Sequence, residues 1–402
     1  MNLKNRVFLV SSLASIYLLV FGISWMIFNS LEVDSKVLNL VENLNSKQKI
    51  DSSLPKTEEC PLNGQMFTLT EKQIWEERRP IVAIIENHED SRPQSGLGSA
   101  DIVYEAVAEG GITRFLAVMY CDIAYAGVKI GPIRSARVYF INWAAEYGDS
   151  PLFVHVGGAN NICRNCPGGV KPVGQISKEV DAFKMLDKLG WRGARRNAFD
   201  GGTNVGYPIM VRDVNRLNRE VAWEHTFVGF TDKIYEEAKA RGFSAIGENG
   251  KAWDANFVMW RFSDNNPILY PKTSRISFGF WQNKPNYDVF WEYDASSNSY
   301  KRFNGGVRHV DHETGEQISA QNLLIQFVKE RGPVDNEGHM FYQNIGKGKG
   351  LLFQNGDVID IIWEKANQFS RTRYYDKMGK EVSFVRGKIW IEAVPDGNKI
   401  EY

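Results

Sequence analysis

The densest charged segment of the chain runs from Ser99 to Arg137, where Asp101, Glu105 and Glu109 recur with Arg114, Arg134 and Arg137. Strand alternation would turn Asp101, Val103 and Glu105 to one face. Arg134 and Arg137 are three apart in Gly131-Pro132-Ile133-Arg134-Ser135-Ala136-Arg137. That segment reads as a strand end entering a helix, with Ser135 as the expected N-cap. Guanidinium forks beside free backbone N–H groups at a helix start hold anions. Arg212 and Asp213 are added to the same cleft. The candidate anion-binding set is thus Arg114, Arg134, Arg137 and Arg212, with Asp101, Glu105, Glu109 and Asp213 as acidic partners. The competing reading is structural, because Arg–carboxylate pairs also tie strands to helices, and charge clusters mark sites only statistically.

Three histidines belong to the same half. His88 follows an apolar run, His155 precedes Gly157-Gly158, and His225 is the third. Ligands bind at strand C-termini in α/β sheets, although a lone histidine is more often an ordinary hydrogen-bonded residue. His309, Asp311 and His312 could begin a metal site, but the sequence supplies no evident further ligand, so no metal is assigned. No G-x-S-x-G elbow, Walker loop or H-E-x-x-H is present, and no catalytic residue is assigned.

Cys60, Cys121, Cys163 and Cys166 form an even set, as expected of disulfides outside the cytoplasm. Of the three pairings, Cys60–Cys121 with Cys163–Cys166 is favoured, the latter as a local CxxC bridge. A redox role for Cys163 and Cys166 is a weaker alternative. It needs a helix to stabilise the thiolate, and Pro167-Gly168-Gly169 follows at once.

The elements that must position these groups fall into two textures. Residues 7–31 carry no charge and are long enough for one membrane-spanning helix. Lys4 and Arg6 precede the run, so residues 1–6 are expected in the cytoplasm and the body outside. An uncleaved signal anchor is favoured over a cleaved signal peptide, and residues 32–77 read as a stalk. Residues 78–248 mix strand-like runs (Ile81–Ile85, Ile102–Val107, Thr113–Cys121, Lys129–Ile133, Leu152–Val156) with helical spacing at Val138–Tyr147, Glu179–Leu189, Arg212–Glu220 and Asp232–Arg241. This predicts an α/β or α+β domain with a mixed sheet. Residues 253–402 hold short aromatic-rich runs, from Phe257–Phe262 to Ile389–Ala393, separated by turn signals, and predict a β-rich second domain. Its Trp and Tyr residues would form a core or a sugar-binding face.

The chain has 402 residues, with Lys+Arg and Asp+Glu both 48. That balance excludes a nucleic-acid binder driven by bulk electrostatics. With 43% hydrophobic and 12% aromatic residues, disorder and collagen-like classes are excluded as well.

The run through Arg79-Pro80-Ile81, Asn87, Arg92-Pro93-Gln94-Ser95-Gly96-Leu97, Ala100 to Ala106, Glu109 to Leu116 and Gly131 to Arg137 resembles the YerB-like family. Further along, Tyr300-Lys301-Arg302, His309, Asp311, Asn322, Gly348 to Phe353 and Trp390-Ile391 are similar to its second part. The family comprises bacterial extracytoplasmic proteins, many of them lipoproteins, described by a two-part domain of unknown function (DUF3048). The resemblance implies an envelope protein without an established activity. Here an apolar span stands where a lipobox is expected. The arginine pattern also looks distantly like that of LytR-CpsA-Psr enzymes, which transfer glycopolymers from polyprenyl pyrophosphate carriers. By that likeness Arg114, Arg134, Arg137 and Arg212 would clamp a pyrophosphate, and Asp101 would hold a divalent cation or assist proton transfer. The expected partners are the membrane and an anionic wall glycopolymer or envelope protein, with no nucleic acid. No cofactor is evident, and Mg²⁺ enters only under the enzyme alternative.

Overall fold

A run of five apolar residues, Ile81-Val82-Ala83-Ile84-Ile85, is buried on both faces and forms most of strand β1 (Ile81–Glu86). Such two-faced burial belongs to an inner strand. It pairs with β3 (Ile112–Met119) on one side and β4 (Leu152–His155) on the other. The computed structural model describes residues 54–163, 165–166, 175–247, 250–268 and 270–402. The span expected at 7–31, and the first part of the stalk, lie outside those residues. Among the described residues no helix is long and apolar enough to cross a membrane.

The main sheet has 11 strands. Besides those named, it contains β2 (Ile102–Glu109), β5 (Ala198–Asp200), β6 (Asn322–Arg331), β7 (Phe341–Gln343), β8 (Gly346–Gln354), β9 (Asp357–Lys365), β10 (Arg373–Asp376) and β11 (Ile389–Pro395). The order is β10-β9-β8-β6-β11-β2-β3-β1-β4-β5, with β7 on β6. The sheet is mixed, as expected. β11 is parallel to both β6 and β2, and β1, β4 and β5 are mutually parallel. Because β3 is antiparallel to β1 and to β2, all six of these strands run the same way. Residues 53–402 form one compact unit, and the sheet runs straight across the boundary expected at 248–253.

Four α-helices are found among the described residues: α1 (Leu69–Trp75), α2 (Val138–Ala144), α3 (Ala182–Lys188) and α4 (Thr231–Ala240). Asp181 caps α3 by accepting from the Lys184 N–H, and Gly190, at φ +69°, ends it in the left-handed region. Two local expectations fail. Ser135 does not cap α2, whose N-cap is Arg137 without a side-chain bond. The chain stays extended through Ser135 because the Ala136 N–H donates to Gly157 and the Val156 N–H to Arg134. Arg212–Glu220 is not a helix. Met210–Arg212 is a strand laddered to Phe227–Phe230, and Arg216 is drawn away to the carbonyls of Ser91 and Pro93, both at 2.5 Å. Likewise only Arg261–Ser263 of the Phe257–Phe262 region is strand, where it pairs with Ser383–Val385.

A second, antiparallel sheet of 5 strands includes Arg275–Phe278, Val289–Asp294 and Ser299–Asn304. It packs on the main sheet through aromatic edges. Trp291 meets Trp390 of β11 at 5.4 Å, and Trp390 meets Phe115 of β3 at 5.4 Å. The second half is β-rich, as expected, but its core is shared with the first half rather than separate from it. The disulfides are Cys60–Cys121, spanning 61 residues of chain, and Cys163–Cys166.

Candidate functional site

Strands running one way bring their C-terminal residues to one edge, where α/β sheets bind ligands. Glu86, Glu109, His155 and Asp200 end β1, β2, β4 and β5 at this edge, and Arg114 lies opposite Glu86 at the start of β3. Arg134 and Arg137 arrive from the segment before α2.

Glu86 sits at the centre of the cluster at this edge. One carboxylate oxygen lies 2.9 Å from Arg134 Nε, and the other accepts from His225 Nδ1 at 2.7 Å. The His225 ring stacks on His88 with centroids 4.8 Å apart. His88 Nδ1 accepts the Asp90 N–H at 3.2 Å and lies 3.6 Å from the Asp90 carboxylate. Arg134 also donates from Nη1 to the Glu224 carbonyl at 3.2 Å. Arg212 donates to the carbonyl of Trp223 at 2.5 Å, and its guanidinium lies over Trp223 and Phe227 at 4.3 and 4.4 Å. Burial, then the like charge of Arg134, pushes its pKa down.

Arg114 and Arg137 are committed elsewhere. They grip the two oxygens of Glu109 at 2.5 Å each, and Arg114 also holds the Ser135 carbonyl at 3.0 Å. Burial would raise the Glu109 carboxyl, but the two guanidinium groups overcome it and hold the group at about 2. Burial and Arg137 push Arg114 down to about 10. Clamping a pyrophosphate with these two arginines would require Glu109 to be released.

The other acidic candidates are scattered. Asp101 precedes β2 and so lies at the opposite end from the crevice. Its carboxylate accepts from Asn63 Nδ2 and from the N–H groups of Tyr120 and Cys121, at 2.9, 2.6 and 3.1 Å, beside the Cys60–Cys121 bridge. Burial, with Asp122 near, pushes it up to about 8 against those donors. Asp213 pairs with Lys129 at 3.1 Å.

Glu105 lies in a seam between the two sheets. It meets Arg302 Nη2 at 2.5 Å and accepts from Thr113 and Asn87 at 2.6 and 3.2 Å. Glu392 of β11 stands directly beside it in register and accepts from Trp291 at 3.1 Å. Burial, then the Glu105 charge, pushes the Glu392 carboxyl well up. His309 accepts from Arg302 at Nδ1 (2.6 Å) and, in that tautomer, donates from Nε2 to Gln94 (2.8 Å). Burial and the Arg302 charge hold its pKa well down. Asp311 accepts the Gly98 and Glu313 N–H groups at 2.8 and 2.9 Å. His309 and Asp311 of the His309-x-Asp311-His312 motif are therefore spent on the fold. His155 is fully buried on the Gly157 carbonyl at 2.8 Å, while Asp200 ties the loop by accepting from Gly157 and Gly202, each at 2.9 Å.

The structure thus joins Arg134 and Arg212 with Glu86, His88 and His225, and separates Asp101, Glu105 and Asp213 from them. Glu86 and Glu392 were absent from the predicted acidic set. Glu86 carried one signal, a carboxylate closing an apolar strand. Glu392, equally inside a buried run, carried the same signal.

Residues 68–207 match the family described as protein of unknown function (DUF3048) N-terminal domain, and residues 276–391 match its C-terminal domain. The chain is 32% identical over 338 residues to a Bacillus subtilis (strain 168) protein named "Putative lipoprotein YerB", covering 84% of this chain and 86% of that protein. It is also similar to the crystal structure of the YerB protein from Bacillus subtilis, with a TM-score of 0.65 and 28% identity. That likeness covers 86% of this chain and all of the other.

Proposed function

The chain belongs to the YerB-like DUF3048 family, and from that premise we propose that it is an extracytoplasmic, membrane-anchored envelope protein that binds an anionic ligand in the crevice of Arg134 and Arg212. The relative's name supports the envelope reading. The uncharged run at 7–31 supports a single-span anchor with the body outside. The observation that carries the binding reading is the state of Arg212. Alone of the four candidate arginines, it has no carboxylate within ion-pair distance among the described residues. Its plane is fixed over Trp223 and Phe227, so little rotamer freedom is lost on binding. Trp223 is 63% exposed, so the cluster opens to solvent.

A phosphate-bearing wall glycopolymer fits this chemistry. The guanidinium supplies the charge, and the exposed indole supplies a face for a sugar ring. The test is thermal unfolding of the full chain with teichoic-type polymers and polyprenyl pyrophosphate analogues, with and without Mg²⁺. A native-state ligand raises the midpoint. The expected result is a rise with the polymer that Arg212→Ala abolishes and Arg134→Ala weakens. A rise that both variants keep, or no rise with any ligand, overturns the proposal.

A further inference from the structure

The crevice also carries an arrangement that no anion needs. His225 Nδ1 donates to Glu86 at 2.7 Å, which leaves Nε2 of the neutral ring with a free lone pair. His88 Nδ1 accepts an N–H at 3.2 Å, so on this ring Nδ1 is the unprotonated nitrogen. The side chains of His88, Asp90 and His225 place one ligating atom each within 4.8 Å of the others. We propose that His88, His225 and Asp90 form a binding site for a divalent transition metal of the zinc type, with Glu86 as the positioning residue behind His225.

Two imidazole nitrogens and one carboxylate oxygen are a donor set suited to zinc, and they leave one position open. A carboxylate on the far nitrogen of a ligating histidine orients the ring and raises its basicity, which is the place Glu86 takes. Glu86 is also neutralised by Arg134 at 2.9 Å, so the charge offered to the cation comes from Asp90. Ligand atoms around zinc stand about 3.3 Å apart for bonds of about 2.05 Å, so the site must close from its present spacing. Closing it costs the Asp90 N–H bond to His88 Nδ1 and shifts that ring from its stack on His225; the parts that move are the Asp90 and His88 side chains, 61% and 28% exposed, on and just before the short turn Glu89–Ser91. His225 and Glu86 are buried and supply the fixed half.

The test does not depend on the anion reading, because it uses the metal alone. Untagged full chain would be titrated with Zn²⁺ by calorimetry, and with Co²⁺ by visible absorption. The expected result is saturable 1:1 binding with a tetrahedral Co²⁺ spectrum. His88→Ala and Asp90→Ala should each weaken it at least tenfold, and Glu86→Gln by roughly 10–100-fold. His312→Ala should leave it unchanged. Should His225→Ala fail to fold, Asp90→Ala at an exposed position and His88→Ala at a half-buried one still decide the matter. Absence of 1:1 binding, or binding that survives both of those changes, overturns the proposal.

Discussion

In the seam between the sheets, Arg302 meets Glu105, His309 and, at 3.7 Å, Glu392, all shut away from water. In the crevice at the strand ends, Arg134 and Arg212 keep part of their guanidinium surface in solvent. Both clusters combine arginine, carboxylate and histidine, and both draw on residues of the family pattern. They differ in where the charge goes. In the seam it cancels internally, since Arg302 faces Glu105 while Glu392 and His309 are driven toward their neutral forms. At the strand ends Glu86 answers Arg134, while Arg212 has no carboxylate at ion-pair distance and feels Glu224 only from farther away. A dense run of charged motif residues therefore does not by itself mark a ligand site. Burial turns such residues into a joint, and the proposed site is where an arginine has no carboxylate at ion-pair distance.

The sharpest way to break this contrast is Arg302→Met. It leaves Glu105 buried without its partner, and breaking a buried ion pair costs about 3–5 kcal/mol. Urea unfolding measures it, and a loss under about 1 kcal/mol would mean the seam is not a closed unit. Glu109 lies between the two extremes. Its folded value of about 2 is below the ordinary 4.5, so its stabilisation is present above pH 4.5 and is lost as pH falls toward 2. Glu109→Gln should cost about 1–3 kcal/mol near neutral pH, as expected for breaking hydrogen-bonded charge pairs. It should also flatten the unfolding midpoint across that acid range. A wild-type profile already flat there would place Glu109 outside the ion-paired class. The smallest effect on stability is expected at Arg212→Ala, within about 1 kcal/mol because no carboxylate loses its partner. The same variant should erase the polymer-induced rise in midpoint. A large loss of stability instead would move Arg212 into the structural group.

How far each feature was legible follows from its range in the chain. β1 is readable because five apolar residues in a row need no knowledge of their neighbours. α3 and α4 are readable because helical spacing and a closing glycine are local. The false helix at Arg212–Glu220 has acceptable spacing, but its Arg216 is spent on the carbonyls of Ser91 and Pro93. Glu105 was placed with Asp101 by strand alternation. The two do share a strand region, but Asp101 lies before the strand and is absorbed by the turn at Tyr120 and Cys121.

By itself the sequence determined the local patterns and the family: buried strands, turn-rich aromatic runs, an even cysteine set and a long motif around residues 79–137. These depend on residue type and short spacing, and they are written in neighbouring positions. Only the tertiary structure decided which arginine is spare. That depends on the ladder of Met210–Arg212 with Phe227–Phe230, and on the bonds that tie Phe227 to Ile133 and His225 to Glu86 at the end of β1. The His225–Glu86 contact joins residues 139 positions apart, and no local periodicity encodes which segments will meet.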